Sequence, residues 1–358
     1  MKPPTLRIRK VLADNCQSRF YLSLLLAALL CVASCAKDSE PAARLHVLGG
    51  LTMGTTYSVK IYAAKLEPSK EEIEQAIRVI LDNINASMST YIGDSELSLL
   101  NQAKAGSWIS LSDDLFQISE EAIAISRLTR GHFDISVGAL VNLWGFGPEK
   151  SEVVPSGHEI DQALANSGLE LIELRESSPA LKKLKQQVYL DLSGIAKGFA
   201  VDKIAEYLDM LHIDNFLVEI GGEIRASGVN EVGFAWRIGI EQPDHENRTV
   251  RRIIKLDNIS MATSGDYRNY FEKNGRRYSH TIDPVSGYPI NHKLASVTVL
   301  HEKASTADAL ATGFLVMGKE PATTIANDKG LAVFFIEKSA SGFEESYTPE
   351  FKNFLLKK

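Results

Sequence analysis

Apolar residues in this chain switch between two periods without settling into a repeat, and that irregular order is what most narrows its fold. Ile73, Ile77, Ile80, Leu81 and Ile84 give one face of a helix that starts near Ser69. Leu115, Ile118, Ala122 and Ile125 give a second, with Ser112 as N-cap and Gly131 beyond its end. Val201, Ile204, Leu208 and Leu211 mark a third. Strands are expected at Tyr57–Ile61, Val188–Leu190, Phe216–Ile220 and Val297–Leu300, and Phe234, Trp236, Ile238 and Ile240 alternate as a half-buried antiparallel strand does. Strands and helices in this order fit an α+β fold better than a doubly wound parallel sheet. No linker is evident after residue 45, so residues 46–358 are expected to form one large domain, with surface loops at Glu149–Gly157 and Asp244–Arg248.

The formal net charge of −6 comes with no basic cluster, which argues against a nucleic-acid partner. There is no internal repeat, no glycine-rich dinucleotide or P-loop fingerprint, no paired-histidine zinc helix and no Gly-x-Ser-x-Gly elbow.

The first residues read as a targeting segment. Lys2, Arg7, Arg9, Lys10 and Arg19 precede an apolar run from Tyr21 to Val32, too short to span a bilayer comfortably. The run ends in Val32-Ala33-Ser34-Cys35, which resembles a bacterial lipobox. Small residues suit a narrow peptidase cleft, and the Cys35 thiol would accept the acyl chain. An ordinary secretory signal with Cys35 incidental is the alternative. Residues 1–34 are therefore expected to be a signal peptide and 35–45 a lipidated tether. Cys16 and Cys31 lie upstream of the cut, so Cys35 would be the sole remaining thiol, and neither a disulfide nor a thiolate metal site is expected.

Several polar segments could carry chemistry. Asp191-Leu192-Ser193-Gly194-Ile195-Ala196-Lys197-Gly198 opens the third helix, where amide N–H groups and the Lys197 ammonium favour an anion. It reads equally as a strand-to-helix turn capped by Asp191 and Ser193. Asp308 and Thr312, four apart in Ser305-Thr306-Ala307-Asp308-Ala309-Leu310-Ala311-Thr312, share one helix face and offer two hard oxygens to Mg²⁺. Against that, Ser305-x-x-Asp308 has capping-box spacing, and Thr312 could bond back to a carbonyl. His280 precedes the Asp283-Pro284-Val285-Ser286-Gly287 turn; an unperturbed imidazole has a pKa near neutrality, which suits a base for a hydroxyl nucleophile, and a surface or packing histidine is the alternative. Leu51-Thr52-Met53-Gly54-Thr55, Gly131-His132-Phe133-Asp134, Leu143-Trp144-Gly145-Phe146-Gly147 and Ala262–Arg268 could line a flat ring, or be core and turn.

Taken together and in this order, the segments resemble the ApbE family of FAD:protein FMN transferases, from about Leu51 to Gly318. The resemblance implies a T-fold-like catalytic domain. It places Met53, Tyr91, His132, Phe133, Asp134, Asp191, Lys197 and Ile282 against FAD, Ile282 through its backbone. Mg²⁺ would be held by Gly194, Asp308 and Thr312, and His280 would be the base. The implied reaction moves FMN from FAD onto a threonine hydroxyl of an acceptor protein and releases AMP. The acceptor would be, for example, a subunit of a sodium-pumping or related electron-transport complex. The enzyme would face the periplasm from a lipid (palmitate-bearing) anchor in the bacterial envelope. Two rivals share these residues: an FAD pyrophosphatase that uses water, and a lipoprotein that binds FAD without chemistry.

Overall fold

The computed structural model describes residues 42–244, 249–266 and 270–356. Cys35 with its targeting segment, most of the tether, the 245–248 part of the expected Asp244–Arg248 loop, and Tyr267 and Arg268 lie outside the described residues. Arg44–Lys358 is one compact unit.

A mixed α+β fold is found. In chain order the elements are β1 Arg44–Thr52, β2 Thr55–Ala63, α1 Lys70–Met88, α2 Glu96–Gln102, β3 Trp108–Ser110, α3 Asp113–Leu128, α4 Gly138–Leu143 and α5 Gly157–Leu164. They continue with β4 Ile172–Arg175, β5 Ala180–Lys183, α6 Ala196–Met210, β6 Phe216–Ile220, β7 Glu223–Ser227, β8 Trp236–Glu241, β9 Val250–Leu256 and β10 Ile259–Gly265. The last are β11 Tyr270–Lys273, β12 Arg276–Ser279, β13 Leu294–His301, α7 Ala304–Met317, α8 Lys319–Lys329, β14 Ala332–Ser339 and β15 Gly342–Tyr347.

Eight strands form one sheet in the order β1-β2-β6-β7-β10-β13-β14-β15, and every neighbouring pair is antiparallel. Alternation assigns side chains to two cores. Phe216, Val218 and Ile220 of β6 and Val333 and Phe335 of β14 join the core that carries α1, α3, α6 and α7. Leu217, Phe334 and Ile336 point the other way, into a second core closed by β8, β9 and Phe351.

The helices start where side chains can satisfy the free amides of a first turn. Ser69 and Glu72 make a reciprocal capping box on α1, and the Ser112 hydroxyl accepts from Leu115 N on α3. Three expectations need correcting. Val188–Leu190 is an extended segment with a single parallel bridge, Val137 to Tyr189, because no strand among the described residues runs alongside it. Ser305 caps nothing: α7 begins at Ala304, and the carboxylate of Asp202 on α6 accepts from Ala304 N (2.7 Å) and Ser305 N (2.9 Å). Ser193 does not cap α6 either, since its amide and hydroxyl both bond Asp191 Oδ1.

Candidate active site

A cavity of ≈ 1090 Å³ opens between the β1–β2 turn, the C-terminal end of α1, the start of α6 and the β11–β12 hairpin. Met53 and Tyr91 line it, with Asn85, Phe146, Lys197 and Phe271. Met53 (φ 47°) and Gly54 (φ 71°) are the two left-handed residues of the β1–β2 turn, which puts the thioether at the cavity wall. The Tyr91 hydroxyl donates to the Phe146 carbonyl at 3.4 Å, and burial raises its pKa. Phe271 lies 5.6 Å from Phe146 and stacks at 5.1 Å on Tyr278. Trp144 is core rather than wall, 1% exposed, with its indole N–H on the Gly287 carbonyl.

At the polar end, three stretches remote in sequence meet. The loop after Tyr189 is fixed by Asn101, whose amide brackets the Leu190 N–H and C=O at 2.7 and 2.9 Å, and by Asp191 N on the Ile135 carbonyl. From it Lys197 reaches Asp308 Oδ2 at 3.5 Å and Glu223 Oε1 at 3.6 Å. Asp308 Oδ2 also accepts from Gly198 N at 3.1 Å. Burial pushes the Asp308 and Glu223 carboxyls up, with Lys197 opposing. Burial lowers the Lys197 pKa, but the charges of Asp308 and then Glu223 outweigh it and hold the ammonium well above the lysine range.

One helical turn along α7, Thr312 Oγ1 is 3.0 Å from Ser264 Oγ of β10, so the hydroxyl engages a side chain rather than its own helix. A Cβ placed at Gly194 would sit 3.6 Å from Thr312 Oγ1 and 3.1 Å from the Phe133 ring, which puts the Gly194 backbone beside Thr312. Phe133 stands at the edge of this corner, 5% exposed. The donor set suits Mg²⁺ chemically. It is all oxygen, and two buried carboxyl groups share one ammonium; a cation beside Asp308 would favour their ionised forms. Among the described residues no group of three or more His, Cys, Asp or Glu is placed to hold a metal. An ion held here by Asp308, Thr312 and the Gly194 carbonyl would draw the rest of its shell from water and substrate phosphate.

Of the remaining expected residues, His132 and Ile282 lie at the Asp283 turn, and His280 precedes it. His132 Nδ1 lies 3.1 Å from Asp283 Oδ1. Asp134 is buried and takes the Ser136 amide and hydroxyl on Oδ1, both at 2.7 Å; burial raises its pKa. Ile282 is buried in a bridge with Pro289 whose hydrogen bonds are made by Thr281 and Asp283, leaving Ile282's own peptide groups out of that pair. His280 follows β12, partly buried, with its ring edge-on to Phe146 at 6.4 Å.

Sequence reasoning passed over Glu223, Asp283's hold on His132, Ser264's contact with Thr312, and Asn85, whose amide donates to Thr52 Oγ1 at 3.1 Å. For Glu223 a signal existed: Gly221-Gly222 between two apolar strands marks a tight hairpin, and an acid just after it starts a buried strand.

An antiparallel α+β scaffold that gathers an oxygen-rich, cation-ready corner at one end of a large cleft is an enzyme-type site. The chain belongs to the ApbE family, whose profile matches residues 53–335. It is 45% identical to the FAD:protein FMN transferase of Vibrio cholerae over 93% of this chain and 98% of that one. Its identity to the Escherichia coli FAD:protein FMN transferase is 37%, over 93% and 96%. Among solved structures, the flavin transferase ApbE of Vibrio cholerae superposes with a TM-score of 0.81 at 43% identity, covering 87% of this chain and all of that one. The apo flavinyl transferase ApbE of Pseudomonas stutzeri gives 0.80 at 37% identity, covering 87% and 97%.

Proposed function

We propose that this chain transfers FMN from FAD to a hydroxyl, a threonine in our reading, of an acceptor protein and releases AMP. The observation that supports it most is the meeting of Gly194 and Lys197, Glu223, and Asp308 and Thr312 at the polar end of the cleft, in a member of this family. FAD would lie along the cleft, with Met53 and Tyr91 against its rings and Lys197 and the first α6 amides toward the diphosphate. His132, Phe133, Asp134, Asp191 and the Ile282 backbone complete the proposed FAD contacts. Mg²⁺, held by Asp308, Thr312 and the Gly194 carbonyl, would neutralise charge on the diphosphate oxygens. The acceptor oxygen bonds to the FMN-side phosphorus as the bond to the AMP phosphate breaks, and the hydroxyl proton passes to the His280 imidazole.

No described helix is long and apolar enough to cross a membrane. Acylation of Cys35, with the enzyme tethered at the envelope near an electron-transport acceptor, belongs to the same proposal. Loss of palmitate labelling in Cys35→Ser would support it, and unchanged labelling would end it.

The test is to incubate residues 44–358 with FAD, Mg²⁺ and a threonine-bearing acceptor fragment, reading flavin fluorescence on a denaturing gel together with AMP. A fluorescent acceptor band with equimolar AMP is expected, and Asp308→Ala should cut it by about 100-fold or more. AMP and free FMN without a band, across several acceptors, would mean a pyrophosphatase. Bound FAD with no AMP would mean a binding protein.

A further inference from the structure

Glu223 stands first in β7, 3% exposed, straight after the Gly221-Gly222 turn. Its Oε1 shares the Lys197 ammonium, while Oε2 is buried with no hydrogen-bond partner. A buried carboxylate left half satisfied costs stability, and an apolar residue of similar size would avoid that cost. The carboxylate therefore calls for an explanation beyond packing. Its turn is also built around Lys197. Gly221 (φ 62°) lies against the lysine stem, where an added Cβ would come within 3.5 Å of Lys197 Cδ. The ammonium sits 3.5 Å from Asp308 and 3.6 Å from Glu223, close enough to be shared and too far to bond either tightly. A divalent cation that engages Asp308 repels the ammonium, and Glu223 is the acid the structure places on its other side.

We propose that Glu223 is a positioning residue that takes over the Lys197 ammonium when Asp308 engages a divalent cation. It keeps Lys197 beside the diphosphate and stops it competing for the metal's carboxylate. This rests on the reading of Asp308 as a cation ligand. Without the Glu223 charge, Lys197 has Asp308 as its one anion in reach among the described residues, and metal binding must break that pair unaided.

The experiment is Mn²⁺ titration of the whole domain, followed by electron paramagnetic resonance, with thermal melts showing that each variant is folded. Glu223→Gln should weaken Mn²⁺ binding by roughly 10-fold or more. In a Lys197→Gln background the same substitution should change it by no more than about threefold, because the effect runs through the lysine. Equal weakening in both backgrounds, or none in either, overturns the proposal while leaving Asp308 as ligand. No Mn²⁺ binding by the unaltered chain removes the Asp308 reading and this proposal with it. Should Glu223→Gln not fold, a crystal structure of the unaltered chain with Mn²⁺ decides. Lys197 should close on Glu223 to about 2.8 Å and draw away from Asp308; a lysine still shared between them refutes the idea.

Discussion

Asp283 divides its carboxylate between its own turn and a histidine far away in sequence. Oδ1 takes the Val285 amide at 3.0 Å and faces His132 Nδ1 at 3.1 Å, while Oδ2 takes the Ser286 amide at 3.2 Å. Burial would raise its pKa, but the bonds from His132, Ser286 and Val285 outweigh burial and hold the carboxyl below the aspartate range. The unfolded chain therefore binds this proton at a higher pH than the folded one does. The stability these bonds give is complete above the ordinary aspartate value of about 3.9 and is lost as pH falls through the lower folded value. Asp283→Asn should cost about 1.5–3 kcal/mol near neutrality. Its deficit should shrink on going from about pH 6 to about pH 3, read by urea unfolding at each. A deficit of equal size at both would refute the assignment. The turn itself was legible, because Asp-Pro-x-Ser-Gly chemistry is local. The His132 partner, 151 residues away, was not, because only the folded chain brings the two together.

At the level of elements, α6 and α7 form the frame of the site, since one carries Lys197 and the other Asp308 and Thr312. They meet backbone to backbone: a Cβ at Gly198 would come 2.3 Å from the Ala304 carbonyl oxygen. One turn on, Asp202 supplies the cap that α7 lacks, and Glu121 of α3 accepts the Ser305 and Thr306 hydroxyls. Asp202→Ala should lower stability by about 1–2 kcal/mol and also weaken Mn²⁺ binding, because Asp308 rides on the first turns of the uncapped helix. Melts and a Mn²⁺ titration on one preparation check it; lost stability with unchanged metal affinity would make the cap purely structural. Helices α1, α3 and α6 could be read from the chain because each buries one stripe, as Ile73, Ile77, Leu81 and Ile84 do on α1. The cap on α7 could not. Ser305 and Asp308 have capping-box spacing, and the competing carboxylate comes from another helix. Strands β10 and β14 carried no usable period either, for they are largely buried on both faces and lack a polar alternation to mark them.

Across the whole molecule, the central sheet separates chemistry from support. Its helical face holds Phe199, Phe314 and the residues beneath the site corner. The opposite face holds Trp236, Ile254, Phe334 and Phe351 under the β8–β9 hairpin and the C-terminal 3₁₀ turn at Phe351–Phe354. Phe351 is fully buried, its ring 5.3 Å from Phe334, and none of its core's members lines the cleft. Alternating side chains on each strand tie the two faces, so a loss on one side lowers the stability of both. Such a loss need not alter the shape of the site while the protein stays folded. Phe351→Ala should therefore cost about 3–5 kcal/mol, seen as a lower denaturant midpoint. Well below the midpoint, FAD affinity and the rate of AMP release should match the unaltered chain. If FAD affinity fell along with stability, the sheet would be transmitting strain from one face to the other, and the second core would belong to the site's machinery rather than to its support.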